Sequence, residues 1–234
     1  MIKRQIPNII TLANLLCGVL ASLFAIQGYL YPAALFICLG IFFDFFDGLA
    51  ARLLNVASPL GKELDSLADV VTSGVAPSFI LLQLLWDNPI GRWVAYLSLL
   101  MPLFAAYRLA KFNLDTRQSH SFIGLPTPAN ALIWVGLGID VGFVLDNLWL
   151  TPIAAVVSLA TDILMVSEVP MFSLKVNFKD LTWKTNRVQY IFLIGCAFIA
   201  AIGFAATLDF LFLPLAILWY ILLSLITCKR HNAE

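Results

Sequence analysis

Charge is scarce in this chain. Only 12% of its 234 residues are Asp, Glu, Lys or Arg, and the acidic and basic counts cancel at 14 each. With no net charge there is no basic body suited to a phosphate backbone, so no nucleic-acid partner is expected. Histidine is nearly absent. His120 lies in a polar stretch and His231 in the tail, and neither is placed to act as the base of a Ser–His pair. Cysteine is sparse too: Cys17, Cys38, Cys196 and Cys228 are scattered through apolar runs without CxxC spacing. They read as small buried hydrophobes rather than as metal ligands or disulfides. What fills the sequence is apolar, at 61% hydrophobic residues and a mean hydropathy of +0.92. A soluble domain of this length needs far less. Apolar runs of about 18 residues or more recur, the length of helix that crosses roughly 30 Å of hydrocarbon.

These runs predict an all-α polytopic membrane protein with about eight transmembrane helices, over residues 10–27, 32–53, 59–85, 90–112, 129–146, 151–168, 187–206 and 208–228. The basic start and long apolar run of "MIKRQIPNIITLANLLCGVLASLFAIQG" read as a retained first span, since no small-residue cleavage site stands out. Pro32, Pro128 and Pro152 sit near helix starts, where a missing N–H is harmless. Ser58-Pro59 reads as an N-cap followed by proline at the first helical position. Without an internal repeat or low-complexity linker, residues 1–234 are expected to form a single membrane domain. Sorting the loops by side places thirteen of the 14 basic residues on the side of both termini and leaves Arg92 alone opposite. That asymmetry puts both termini in the cytoplasm.

One stretch holds chemistry: "DFFDGLAARLLNVASPLGKELDSLAD", Asp44 to Asp69. Asp44 and Asp47 are three apart and Asp65 and Asp69 four apart, so each pair shares a helix face. The short turn between them makes the helices antiparallel neighbours, and the pairs are expected to converge at the cytoplasmic face. Four close carboxylates cannot all stay ionised without cations. Oxygen-only ligands suit Mg²⁺, Mn²⁺ or Ca²⁺ rather than zinc. A two-metal arrangement serves in-line displacement at phosphorus. Gly48 and Ala51 share the face of the first pair, and Gly61 lies one turn from Asp65, leaving room for a bulky ligand or for close helix contact. Arg52 is placed to offset phosphate charge. Intramembrane acidic residues are costly and mark function.

The pattern Asp44-x2-Asp47-Gly48-x2-Ala51-Arg52-x8-Gly61-x3-Asp65-x3-Asp69 resembles the signature of the CDP-alcohol phosphotransferases, with every fixed position filled. The resemblance implies a helical-bundle membrane enzyme with its active site at the cytoplasmic face of the cell's inner membrane. It implies two divalent ions, Mg²⁺ or Mn²⁺, on Asp44, Asp47 and Asp65, with Asp69 as metal neighbour and general base. Gly48, Ala51, Arg52 and Gly61 would line the site for the CDP moiety. Pro7-Asn8-Ile9-Ile10-Thr11 resembles the family's entry segment "PN-x-x-T" and brings Asn8 to the nucleotide. A homodimer is also implied.

Three looser segments resemble the serine-using branch of that family: "LDSLADVVTSGVAPSFIL" (64–81), "YRLAKFNLD" (107–115) with "FIGLPTPANA" (122–131), and "LMVSEVPMFSLKV" (164–176). They imply CDP-diacylglycerol as donor and L-serine as acceptor. A sibling reading with glycerol phosphate or inositol as acceptor shares the metal motif. A cation transporter is the rival from another class, but transporters hold their ions near the bilayer midplane, whereas this cluster brackets a cytoplasmic turn. Arg108 and Lys111, three apart at the end of the fourth span, are candidates for the acceptor's carboxylate, with Asn113 beside them. Asp140 and Asp162 lie away from the motif and read as polar contacts between spans.

The charge sorting generates a topology test. Single cysteines placed at 54–58, 113–128 or 169–186 on a cysteine-free background should resist an impermeant thiol reagent in intact cells, and a cysteine near Asn88 should react. The reverse pattern overturns the eight-span arrangement.

Overall fold

The computed structural model describes residues 2–86, 92–115, 122–139, 150–172, 186–205 and 210–231. Almost all of them are helical. A helix satisfies its own backbone N–H and C=O groups, which is what a chain this apolar needs in hydrocarbon. Helix α1 (Ile2–Ile26) and helix α2 (Leu30–Leu53) form an antiparallel pair. Gly28 makes the turn between them with φ +81°, a conformation glycine adopts without strain. The pair packs through small residues, with Ala21 and Ala25 of α1 and Ala33 and Ala34 of α2 fully buried. Small residues let helix backbones approach where lipid offers no competing hydrophobic drive. Leu12, Leu16, Val19 and Leu23 lie on the outward face of α1.

The next span runs without a break from Pro59 to Trp86 but changes geometry midway. It comprises α3 (Pro59–Asp69), a π-helical segment (Val70–Val75) and α4 (Ala76–Trp86). The Ser58 hydroxyl accepts the Gly61 N–H at 3.0 Å, the N-cap expected from the Ser-Pro pair. A short helix α5 (Arg92–Ala95), a 3₁₀ turn (Tyr96–Leu100) and α6 (Met101–Leu114) form the fourth long span. Helices α7 (Thr127–Ile139), α8 (Leu150–Val166), α9 (Arg187–Ala205) and α10 (Phe212–His231) complete the bundle. Strands β1 (Phe122–Ile123) and β2 (Pro170–Met171) pair antiparallel beside α7 and α8, a small departure from an all-helical expectation.

Among the described residues, four helices are long and apolar enough to cross a membrane, namely Gln5–Ile26, Leu30–Leu53, Pro59–Trp86 and Arg92–Leu114. Four shorter apolar helices follow: Thr127–Ile139, Pro152–Val166, Arg187–Gly203 and Phe212–Thr227. The chain is thus a helical membrane protein, and its helices fall where the hydrophobic runs placed them. The last helix begins at Phe212 rather than near 208, and the end expected at 146 for the fifth run lies outside the described residues. The first helix begins at Ile2 rather than near residue 10 and carries Pro7 within it, at the cost of one intrahelical bond. This earlier start puts Asn8 and Thr11 on the same continuous helix as the membrane span.

Two apolar cores hold the bundle. One joins α1, α2, α4 and α7 through Ala21, Ala33, Ile37, Ile80, Leu84 and Val135. The other joins α4, α6, α7, α8 and α10 around Leu81, Met101, Trp134, Ala155 and Tyr220. The π segment sits where α1, α2 and α6 meet. A Cβ on Gly18 would lie 2.8 Å from the Thr72 backbone, and one on Gly74 would lie 3.3 Å from the Pro102 Cα. Both glycines are there because the helices cross too closely for a side chain.

Candidate functional site

Three carboxylates meet near one end of the α1–α2–α3 cluster. Asp44, Asp47 and Asp65 each offer an oxygen within 4.8 Å of the others. Asp44 and Asp47 come from the last three turns of α2, and Asp65 from α3. The turn that joins these helices passes through Asn55 at φ +53°, a left-handed conformation that asparagine tolerates. Helix α3 packs chiefly against α1. Asp65 thus meets Asp44 and Asp47 although α3 lies chiefly against α1, and Asp69 stays outside the group.

That cavity, of about 260 Å³, is lined by Asn8, Thr11, Asp47, Gly48, Ala51, Arg52, Gly61, Lys62 and Asp65, with Pro7 and residues 56–58. All five residues assigned from the sequence to a nucleotide site, Asn8, Gly48, Ala51, Arg52 and Gly61, lie on its wall. A Cβ added to Gly48 would meet nothing within 4 Å. Its absent side chain thus widens the cavity and is not demanded by packing. Arg52 is exposed, and its Nε donates to the Gly48 carbonyl at 3.0 Å, which holds the guanidinium against the cavity wall. Lys62 donates to the Asn113 carbonyl at 3.0 Å.

Helix α1 supplies contacts that spacing among the aspartates could not reveal. The Thr11 hydroxyl lies 2.6 Å from Asp47 Oδ2 and 3.0 Å from the Pro7 carbonyl. Its single proton serves the nearer, charged acceptor better. Asn14 Nδ2 donates to Asp69 Oδ1 at 3.4 Å. Asn8, Thr11 and Asn14 recur every three residues on an otherwise apolar helix. That polar stripe was the available signal in the sequence.

Asp69 is buried, as is Asp47, and it is not a member of the three-carboxylate group. Arg108 stands within electrostatic reach of it. The Arg108 side chain is itself buried, donating from Nη1 to the Thr127 hydroxyl at 2.9 Å and lying over the Phe112 ring. Its Nε has no hydrogen-bond partner among the described residues. Tyr220 of α10 is also within electrostatic reach of this guanidinium.

The other two acceptor-side candidates make contacts of their own. Lys111 forms an ion pair with Glu168 at 3.6 Å, and Asn113 Nδ2 donates to the Ser66 hydroxyl at 2.8 Å. The charge of Lys111 is committed to α8's end, and Asn113 ties α6 to α3. Arg108 is the member of that trio that stands beside Asp69.

Asp162 is fully buried between α7 and α8 and accepts from Asn130 Nδ2 at 3.2 Å. Its Oδ2 has no partner among the described residues, so the contact satisfies only half of the carboxylate. Asp140 lies outside the described residues. Cys17, Cys38 and Cys196 are free thiols, in keeping with their reading as apolar filler.

The donor set fits a hard divalent cation. The three converging side chains offer only carboxylate oxygens, the ligand type that Mg²⁺ and Mn²⁺ prefer. Asp65 Oδ1 is buried without a hydrogen-bond partner among the described residues, an unmet acceptor within the group.

Residues 4–171 match the CDP-alcohol phosphatidyltransferase family along the segment that builds this cavity. The chain belongs to that family. Individual relatives agree. The CDP-diacylglycerol–serine O-phosphatidyltransferase of Bacillus subtilis is 44% identical over 127 residues, covering 53% of this chain and 70% of that protein. The protein of the same name from Helicobacter pylori is 40% identical over 131 residues, 55% of either chain. That of Mycobacterium leprae is 34% identical over 175 residues, 71% of this chain and 57% of its own. The matched stretch thus spans little more than half the length of the latter two. In this CDP-alcohol phosphatidyltransferase, α9 and α10 lie beyond the family match, yet α10 brings Tyr220 to the Arg108 end of the site.

Thr11→Val keeps the side-chain shape and deletes the proton donated to Asp47. Loss of such a supporting contact typically costs 10- to 100-fold in metal affinity. The Mg²⁺ or Mn²⁺ concentration giving half-maximal activity should rise by about that factor, as measured by metal titration of the purified enzyme. An unchanged titration would show that Asp47 needs no help from α1.

Proposed function

We propose that this protein transfers the phosphatidyl group of CDP-diacylglycerol to the hydroxyl of L-serine, giving phosphatidylserine and CMP. The observation that carries the reading is the cavity whose wall holds Asn8, Gly48, Ala51, Arg52 and Gly61 and whose edge holds converging carboxylates. Behind it stand a separate buried carboxylate, Asp69, and a buried guanidinium, Arg108. The names of the relatives supply the acceptor. The eight-span arrangement belongs to the same reading, with the active site and both termini on the cytoplasmic side of the inner membrane.

Asp44, Asp47 and Asp65 would hold divalent metal. When bound, such ions neutralise the pyrophosphate and stabilise charge moving onto the leaving nucleotide. The small residues Gly48, Ala51 and Gly61 leave room for the CDP moiety, and Arg52 and Lys62 offset phosphate charge. The serine hydroxyl is a weak nucleophile at neutral pH. Asp69 takes its proton as the oxygen attacks phosphorus, and the bond to CMP breaks with its electron pair leaving on CMP. Arg108 holds the serine carboxylate through guanidinium N–H groups that Thr127 does not use, and this fixes the direction of the hydroxyl.

The test is an assay of purified protein with CDP-diacylglycerol and labelled serine, inositol or glycerol phosphate. Serine should be incorporated, excess chelator should abolish the activity, and Mg²⁺ or Mn²⁺ should restore it. Product from glycerol phosphate or inositol in place of serine reassigns the acceptor, and full activity in chelator removes the metal role. Within the serine reading, Arg108→Ala should raise the KM for serine by about 10- to 150-fold, the worth of a charge-assisted pair. The KM for CDP-diacylglycerol should change little. A rise in the donor KM alone would move Arg108 to the lipid phosphate.

A further inference from the structure

Asp69 has two carboxylate oxygens and one task, so something must decide which oxygen faces the reacting hydroxyl. We infer that Asn14 is the positioning residue for Asp69, holding Oδ1 and leaving Oδ2 to take the proton. The inference rests on Asp69 as the base and adds a residue that neither the aspartate motif nor the family segment "PN-x-x-T" contains.

The geometry is specific. Asn14 is fully buried, and its carboxamide N–H is directed at Asp69 Oδ1 across 3.4 Å. The backbone of Asn14 and the space around its side chain are both fixed by neighbouring helices. The Thr72 hydroxyl donates to the Asn14 main-chain carbonyl at 3.1 Å, which ties α1 to the π segment beginning one residue after Asp69. A Cβ on Gly40 of α2 would sit 2.8 Å from Asn14 Oδ1 and 2.5 Å from Thr72 Cγ2. The bare backbone of Gly40 therefore makes the space that both side chains occupy. Gly18, one turn on from Asn14, does the same for the Thr72 backbone. Asn14 Oδ1 has no partner among the described residues. A buried amide left half unsatisfied carries a cost that packing alone does not require, because an apolar side chain fills space with no polar atoms to satisfy. The amide group stands where its donor meets the one aspartate of the Asp44–Asp69 motif that lies outside the metal-ligand trio.

A positioning contact of this kind acts on the reaction step and not on donor binding. The experiment compares Asn14→Leu, which keeps the branched connectivity in a bulkier apolar form and loses the donor, with Asn14→Ala, which only removes atoms and needs no extra space beside Gly40. Each is also made on an Asp69→Asn background. For each variant kcat, both KM values and the binding of CMP in the presence of Mg²⁺ are measured. The expected result is a kcat lower by about tenfold or more, the scale of a hydrogen bond to a charged group. Donor KM and CMP affinity should stay within about twofold of the parent. The loss should largely vanish on the Asp69→Asn background, because groups that act as a unit are not additive. The inference is overturned by a kcat near the parent value, by a loss confined to donor KM or CMP affinity, or by a loss that multiplies in full with Asp69→Asn. If Asp69→Asn itself retains a normal rate, the reading of Asp69 as base falls and takes the inference with it. An inactive Asp69→Asn beside fully active Asn14 variants sinks the inference alone.

Discussion

Mutual repulsion among carboxylates in a poorly hydrated bundle is the constraint on which the rest of this structure depends. Asp44, Asp47 and Asp65 bring oxygens within 4.8 Å of one another, and Asp69 is buried close by. Charge in such surroundings is expensive, and like charges raise the expense. A fold that keeps them must supply compensation at each one. Thr11 reaches Asp47, Asn14 reaches Asp69, and Arg108 lies within electrostatic reach of Asp69. The remaining deficit is what a divalent cation would remove. Helix α1 is organised around this need: one face is given to lipid, one to small residues against α2, and its first turns to polar groups aimed at the aspartates.

The π segment explains how one long span serves two purposes. Before it, Asp65 and Asp69 look toward α1 and the cavity. After it, Ile80, Leu81, Leu84 and Leu85 are buried in the two apolar cores. One extra residue in a helix turns the following face by about 100°. A regular helix over Pro59–Trp86 would have carried the acidic face onward into the region where apolar packing is required. The widened turn also places Thr72 and Gly74 against α1 and α6, whose glycine and alanine contacts lock the distortion in place. The catalytic carboxylate of the proposed reaction thus sits at the last regular position before the irregularity, braced from both sides.

The site has two unequal halves. The donor half is an open cavity lined by small and basic residues. The Arg108 end, the acceptor half of the proposed reaction, is tightly packed: Arg108, Thr127 and Tyr220 are buried, and the space beside Arg108 and Lys111 amounts to about 10 Å³. A small polar acceptor suits a confined half-site, where a buried guanidinium has most to gain from an anionic partner. The ion pair between Lys111 and Glu168 and the short β1–β2 pairing lie at this end and tie the α6–α7 connection to the end of α8.

Helix positions and the aspartate motif were legible in the linear chain, because each depends on local quantities: run length and i to i+3 or i+4 spacing. Asp44 and Asp47 had to share a face whatever the rest of the chain did. The glycines could be recognised as small but not sorted. Tertiary contact decided that Gly48 opens onto the cavity while Gly18, Gly40 and Gly74 are close-packed crossings. The same limit applied to the basic pair three residues apart on α6. The planar fork of its guanidinium already favoured Arg108 over Lys111 for a carboxylate, but only the positions of Thr127 and Glu168, distant in sequence, showed a buried guanidinium within electrostatic reach of Asp69 and an ammonium paired at the end of α8. Asn14 was only half legible for a related reason. The stripe it forms with Asn8 and Thr11 marks a polar face on α1 but not a partner: its bond to Asp69 spans 55 residues of sequence, so it exists only once α1 and the π segment have been packed together.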